Sequence, residues 1–289
     1  MTTHARNSLH DQASQLADFL ARHNKVLALT GAGLSTASGI PDYRDLDGVR
    51  RGSAPVQGPE FRKNDAVRRR YWARSMVGWP TMLNARPNPG HQAIAQLQAR
   101  GTLGAVLTQN VDGLHQHAGS ENVIELHGNI HHVCCLDCHS RFTRGFVQSL
   151  LHEYNPHMRH AIGAPAPDGD AHLAADLVEQ FRIPKCIYCA GVLKPDVVFF
   201  GDGVAAKVTD QAFGELARAD ALLIVGSSLM VFSGFRFCRA AAAAGKPIAM
   251  VNLGKTRADD MIGLKIAQSA ENVLPLACHQ LDASLRLRT

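Results

Sequence analysis

The sequence predicts an α/β chain: a doubly wound, Rossmann-like parallel sheet with a smaller domain inserted into it. Three observations carry this expectation. Short apolar runs of strand length alternate with stripes of helical period, the pattern of βαβ units. Most of those runs end in glycine or polar residues, which suits strands whose carboxyl ends line a crevice. The alternation breaks twice, over 46–87 and 133–191, and the second break holds two Cys-x-x-Cys pairs. Residues 1–45, 88–132 and 192–289 are therefore expected to form the sheet domain, and 46–87 with 133–191 the small one.

Taken in order, Ser8 to Arg22 places Leu9, Ala13, Leu16 and Leu20 on one helical stripe. Ser8, with Asp11 three residues on, forms a capping pair. Val26-Leu27-Ala28-Leu29 reads as a buried strand, and Gly31-Ala32-Gly33 turns sharply after it. Without a Cβ the backbone there can approach a ligand closely. Amides in such a turn, backed by a helix start, suit a pyrophosphate. Gly39 and Pro41 stop a long helix, so Ser35 to Arg44 is expected to be an ordered flap. Residues 45–87 lose the rhythm and are expected to be a mobile loop followed by a helical segment around Tyr71-Trp72-Ala73-Arg74. Helix returns from His91 to Ala99. The expected further strands are Ala105 to Thr108, Val123 to Leu126, Val197 to Phe200, Ala221 to Val225 and Ile248 to Val251.

Composition narrows the function classes. A chain of 289 residues with 46% hydrophobic content can bury one large core or two modest ones. No apolar run is long enough to span a bilayer. Met1 to Asn7 lacks the apolar core of a secretory signal, so a cytoplasmic location is expected. The net charge of +5 is mild and spread out, which favours neither nucleic-acid nor membrane partners. Arg68-Arg69-Arg70 reads as a solvated helix face. Seven cysteines, four of them in Cys135-x-x-Cys138 and Cys186-x-x-Cys189, favour metal over disulfides in a reducing compartment. Two such hooks place four thiolates around one structural Zn²⁺ with no open position for a substrate. Cys134, beside Cys135, is a competing ligand.

A dinucleotide-dependent dehydrogenase is the first rival, and the residues argue against it. Its fingerprint needs a third glycine where this chain has Thr36, and an acidic residue about 20 positions on. That region reads Arg50-Arg51-Gly52-Ser53, with no strand before it. The stretch Gly31-Ala32-Gly33-Leu34-Ser35-Thr36-Ala37-Ser38-Gly39-Ile40-Pro41-Asp42-Tyr43-Arg44 instead resembles the signature of the sirtuins, the NAD-dependent protein deacylases. The resemblance runs through nearly the whole chain.

It implies NAD as co-substrate, acylated-lysine proteins or peptides as partners, and a reaction releasing nicotinamide, free lysine and acyl-ADP-ribose. By the resemblance Gly226, Ser227, Ser228, Asn252, Leu253 and Gly254 hold the adenosine half, with Ala270 a further adenine contact. Gly31, Ala32, Gly33 and Ser35 meet the cofactor at the glycine turn. Gln109, Asn110, Asp112, Ile40 and Asp42 form the nicotinamide side, with Val111, Tyr43 and Arg44 as further cofactor contacts. Asn110 and Asp112 suit a bond cleavage that builds oxocarbenium character at the sugar, which positioned oxygens favour.

His127 is the candidate general base among 15 histidines. It follows an apolar run directly, precedes Gly128, and a neutral imidazole can take a ribose proton at pH 7. His131 and His132 are read as solvated or structural. Lys194 to Asp202 resembles the substrate segment, with Val198, Phe199, Phe200 and Gly201 at its centre. An extended backbone there could add a peptide strand, and one phenylalanine of the pair is expected in the core.

Tyr71 to Arg74, Val77-Gly78-Trp79-Pro80 and the Pro/Asp-rich Ala166 to Asp170 resemble the class II branch that includes mitochondrial sirtuin four. Two alternatives stay open: mono-ADP-ribosyl transfer from the same site, and a catalytically idle NAD-binding zinc module.

Overall fold

The computed structural model describes residues 8–51 and 54–286. The expectations resting on Met1 to Asn7 and on Gly52-Ser53 lie outside the described residues. In chain order the strands are β1 (Val26–Thr30), β2 (Leu103–Thr108), β3 (Val123–Glu125), β4 (Gly128–Cys135), β5 (Arg141–Thr143), β6 (Ala164–Ala166), β7 (Asp170–His172), β8 (Leu193–Val197), β9 (Ala221–Val225), β10 (Ile248–Val251) and β11 (Leu264–Ile266).

Six of them form one sheet in the order β11-β10-β9-β1-β2-β3, with every neighbouring pair parallel. Numbered within the sheet this is the doubly wound order 3-2-1-4-5-6, with its switch point between β1 and β9. Both central strands are buried along their whole length, which is why they read as unbroken apolar runs. Helices Leu9–Ala21, Pro89–Ala99 and Ala270–Arg286 cover one face, with Leu16, Leu20, Ile94, Leu97 and Val273 packed on Val26, Ala28 and Leu223. Helices Ala206–Arg218 and Phe232–Ala243 cover the other, where Leu216, Phe235 and Phe237 meet Leu27, Leu29 and Ile224. Ser8 and Asp11 cap the first helix reciprocally, as their spacing predicts.

A second core lies around the antiparallel sheet β5-β4-β8. Phe61, Trp72, Met76, Val133, Leu151, Phe181, Leu193 and Phe199 fill it. Residues 58–84 are more ordered than their composition suggests. They contain helices Gly58–Lys63 and Asp65–Asn84, the latter running through Pro80. Proline cannot bond the carbonyl four residues back. That group, Met76 O, accepts instead from Gln148 Nε2 at 2.8 Å. Arg144, fully buried, donates to Ser75 O and to Gln148, with its guanidinium over the rings of Trp72 and Trp79 at 5.4 and 4.9 Å. A neighbouring helix, Arg144–Tyr154, thus supplies the polar partners this buried stretch needs.

One expected strand is corrected. Val197 to Phe200 does not extend the parallel sheet. Its strand portion ends at Val197 and pairs antiparallel with β4, while Phe199 leaves the ladder to pack on Phe61 and Tyr71. The apolar run there reflects an aromatic cluster, not a sheet interior. The short edge strand β11 had no apolar run to announce it. Among the described residues no helix is long and apolar enough to cross a membrane.

Candidate active site and zinc centre

At the switch point two turns are pressed backbone to backbone. Gly31 N donates to Val225 O at 3.0 Å and Gly33 N to Gly226 O at 2.8 Å. Gly226 has φ +60°, and a Cβ on it would lie 2.2 Å from Leu34 N, so no larger residue fits. The turn is not backed by an α-helix as expected. Two short 3-10 turns, Ala32–Leu34 and Thr36–Ser38, flank Ser35, and Gly39 ends them at φ +83°. Ala32 remains half-buried and Ser35 is buried.

Ser35 joins a chain of hydrogen bonds with the residues after β2. Asn110 Nδ2 donates to Gly31 O and to Ser35 Oγ, both at 3.1 Å, and Ser35 Oγ donates to Asp112 Oδ2 at 2.7 Å. Asp112 Oδ1 accepts from Leu114 N at 2.9 Å. Both N–H groups of Asn110 are committed, leaving its carbonyl oxygen as what it can offer a ligand. Gln109 Nε2 reaches across the switch point to Ser227 Oγ at 2.7 Å. Val111 and Ile40 pack together in a small apolar cluster with Trp79, Leu114 and Ile130.

His127 stands between β3 and β4. Its Nδ1 is 2.8 Å from Gln109 O and its Nε2 2.7 Å from Ser233 Oγ. A carbonyl only accepts, so Nδ1 carries the proton and Nε2 keeps a lone pair. Burial pushes the imidazole below its ordinary range, opposed by the Gln109 bond and reinforced by the nearby Arg236 charge. The ring is held neutral.

The remaining expected residues divide between the two ends of the crevice. Asn252 Nδ2 donates to Gly254 O at 3.0 Å, and Ser228 O accepts from Arg257 N at 2.9 Å. A small loop closed by an Arg44–Arg50 bridge lies against this turn, with Lys255 N on Leu46 O at 2.8 Å and Lys255 on Asp47 at 2.9 Å. Leu253 is exposed, and Ala270 is buried at the start of the last helix. At the opposite end Asp42 pairs with Arg51 at 3.3 Å, and Tyr43 meets Phe200 edge-on at 6.2 Å. Val198 N donates to His127 O at 2.8 Å, and Gly58 N to Phe200 O at 2.8 Å. Phe199 is buried and Phe200 half-exposed, so one of the pair is in the core. Gly201 turns the chain at φ +79°.

The four paired cysteines converge. Their sulfurs all lie within 4.8 Å of one another, with Cys135–Cys189 at 3.5 Å and Cys138–Cys186 at 3.7 Å. Four thiolates around zinc would stand about 3.8 Å apart, so the donor set fits one tetrahedral ion. Each knuckle turns back in the same way. Cys135 O accepts from His139 N and Cys186 O from Ala190 N, and both donors have positive φ, 60° and 59°. Cys134 is outside the cluster, lying in the register beside Arg141 and Lys194.

Residues 31–233 match the Sir2 family. This chain belongs to that family. An NAD-dependent protein deacetylase of Xanthomonas campestris pv. campestris (strain 8004) is 52% identical over 259 residues, covering 90% of this chain and 88% of the relative. NAD-dependent protein deacetylase 3 of Pseudomonas syringae pv. tomato is 49% identical over 256 residues, covering 88% and 91%. A solved Sir2 chain in complex with a p53 peptide and NAD+ is 30% identical, with a TM-score of 0.74 over 94% of this chain and 98% of that one.

Several polar groups of this Sir2 chain escape a reading by motif. Ser233 carries no signal tying it to a histidine 106 positions away. His131 is not merely solvated, since its Nε2 donates to Asp112 O at 3.0 Å. Thr30, Thr108 and His115 form a buried net under Asn110, with Thr30 Oγ1 2.9 Å from both Thr108 Oγ1 and His115 Nε2. Threonine at the end of an apolar strand was the available cue.

Proposed function

We infer that this chain is an NAD-dependent protein deacetylase that acts on acylated lysine in proteins or peptides. The observation that carries the reading is His127, a half-buried neutral imidazole with the Nε2 lone pair free of a proton, beside the Asn110–Ser35–Asp112 chain. The polar donor set at the switch point suits NAD, with acceptors and hydroxyls above an apolar sheet. We assign Gly31, Ala32, Gly33 and Ser35 to the pyrophosphate side. Gly226, Ser227, Ser228, Asn252, Leu253, Gly254 and Ala270 take the adenosine half. Ile40, Asp42, Gln109, Asn110 and Asp112 take the nicotinamide end, and Val111, Tyr43 and Arg44 are further cofactor contacts.

When bound, NAD supplies a ribose carbon that becomes reactive as nicotinamide leaves. The Asn110 carbonyl oxygen and the Asp112 carboxylate favour positive charge at that sugar. Val198 to Gly201 orient the acylated lysine, whose amide oxygen is a weak nucleophile and needs to be held in place. His127 Nε2 then takes a proton from a ribose hydroxyl. The four-cysteine zinc site holds the small module together and takes no part in this chemistry.

The finer readings are proposals of the same kind. The division into a sheet domain (1–45, 88–132, 192–289) and a small one (46–87, 133–191) is supported by the small one's own core around Phe61, Trp72 and Leu151, which also takes in Leu193 and Phe199 from just past the 192 boundary. Membership of the class II branch is supported by contact between two of its motifs. A Cβ on Gly78 would lie 2.5 Å from Asp170 backbone, and Arg74 pairs with Asp170 at 2.7 Å. A cytoplasmic location is supported by four cysteines arranged for metal and not for disulfides.

Incubating the protein with NAD and lysine peptides carrying varied acyl groups, then weighing the products, tests the reading. Free-lysine peptide with acyl-ADP-ribose is expected. Peptide or protein that gains ADP-ribose while every acyl group is retained would replace the deacetylase with an ADP-ribosyltransferase.

A further inference from the structure

We propose that Ser233 is a positioning residue for the base His127, an inference that rests on the deacetylase reading above. Ser233 lies in the first turn of helix Phe232–Ala243, which follows the Gly226-Ser227-Ser228 turn. Its hydroxyl is 2.7 Å from Nε2 of His127. Because Nδ1 donates to Gln109 O, Nε2 is bare, and the Ser233 O–H is the donor in this contact. The imidazole is thereby held at both nitrogens, in one tautomer and one ring orientation.

Ser233 is itself fixed. Arg236 Nε donates to Ser233 O at 3.2 Å and Arg236 Nη2 to Thr209 Oγ1 at 3.2 Å, tying this turn to helix Ala206–Arg218. The next residue lets the helix come close, since a Cβ on Gly234 would lie 2.5 Å from Gln109 Oε1. One Ser-Gly pair therefore touches the ring and also the residue that orients the ring. When the ribose hydroxyl reaches Nε2 it displaces the Ser233 hydroxyl. The ribose O–H bond breaks and an N–H bond forms on Nε2, while Ser233 rotates away and keeps its own proton. Ser233 thus presets the base without joining the transfer.

A sequence-level reading would make Ser233 only a residue of the helix N-terminus, and the two roles part under substitution. Ser233→Ala should lower kcat for deacylation about 3- to 10-fold, the loss of one neutral hydrogen bond and of orientation. It should lower nicotinamide exchange less, because exchange needs no base at His127. Ser233→Thr, which keeps the hydroxyl, should recover the rate. Ser233→Asp discriminates most sharply. A carboxylate in the first helical turn favours the helix, yet it demands an N–H from Nε2 and removes the lone pair. That variant should keep its Tm and deacylate more slowly than Ser233→Ala. An Asp variant as fast as wild type, or an Ala variant whose exchange and deacylation fall in parallel, overturns the proposal. A wild-type protein that exchanges nicotinamide but frees no lysine sinks the deacetylase reading instead, and this inference with it.

Discussion

At the switch point, polar groups from residues 31, 35, 109, 110, 112, 127 and 227 meet because strands with wholly apolar interiors deliver their carboxyl ends to one place. In the zinc module, four sulfurs meet because two short turns each bring a Cys-x-x-Cys pair to the end of a small antiparallel sheet. The first arrangement is held by distant packing and can afford unsatisfied acceptors facing a ligand. The second depends on the ion to join two knuckles from distant parts of the chain, and its donor set is closed. The difference teaches where each region is vulnerable: the crevice in its chemistry, the module in its stability.

The sharpest way to break that contrast is at the base. His127→Ala should cut deacylation by about 10²–10⁴-fold, as loss of a general base does, and reduce labelled-nicotinamide exchange less. Near-normal deacylation would show that the base lies elsewhere. Asn110→Ala or Asp112→Ala should act one step earlier and reduce nicotinamide release itself by about 10²–10³-fold, with some loss of Tm as well, because each leaves buried partners of Ser35, Gly31 or Leu114 unpaired. In the module, Cys186→Ser should remove stoichiometric zinc and lower Tm on the order of 10 °C. Metal analysis of well-folded wild-type protein that found no zinc would refute this. Gln148→Leu leaves the carbonyl that Pro80 frees without a partner, and chemical denaturation should register a loss of about 1–3 kcal/mol.

The smallest expected effect concerns pH. Desolvation lowers the His127 pKa, so its base form predominates at the ordinary histidine pKa and is lost as pH falls further. The acid limb of kcat/KM should lie below pH 6.5. Removing the nearby positive charge with Arg236→Gln should move that limb upward. A downward move would mean that Arg236 acts on something other than the imidazole.

Much of this was legible because the sheet strands are uniform. Val26 to Thr30 and Ala221 to Val225 are buried on both faces, so hydrophobicity alone marks them, and the turn residues after them follow. The cysteines declared themselves by spacing. Helix Asp65–Asn84 showed only in part, at Arg68 to Arg74, because Pro80 interrupts its pattern while its stability comes from Arg144 and Gln148 on another helix. Val197 to Phe200 misled because burial in an aromatic cluster and burial in a sheet look alike in one dimension. Ser233 was illegible for a related reason: its partner is set by tertiary approach at Gly234, which no local pattern encodes.

The seam between the two cores runs through the base itself. β4 begins at Gly128, one residue after His127, and Gly128 pairs with Val197, while Val198 holds the His127 carbonyl. Gly128 sits at φ +76°, and a Cβ there would lie 2.1 Å from Asp196 O, so the joint is tight. A side chain at position 128 would push β4 away from Asp196 and pull on the carbonyl that Val198 holds, so the placement of the imidazole depends on a glycine that touches no ligand.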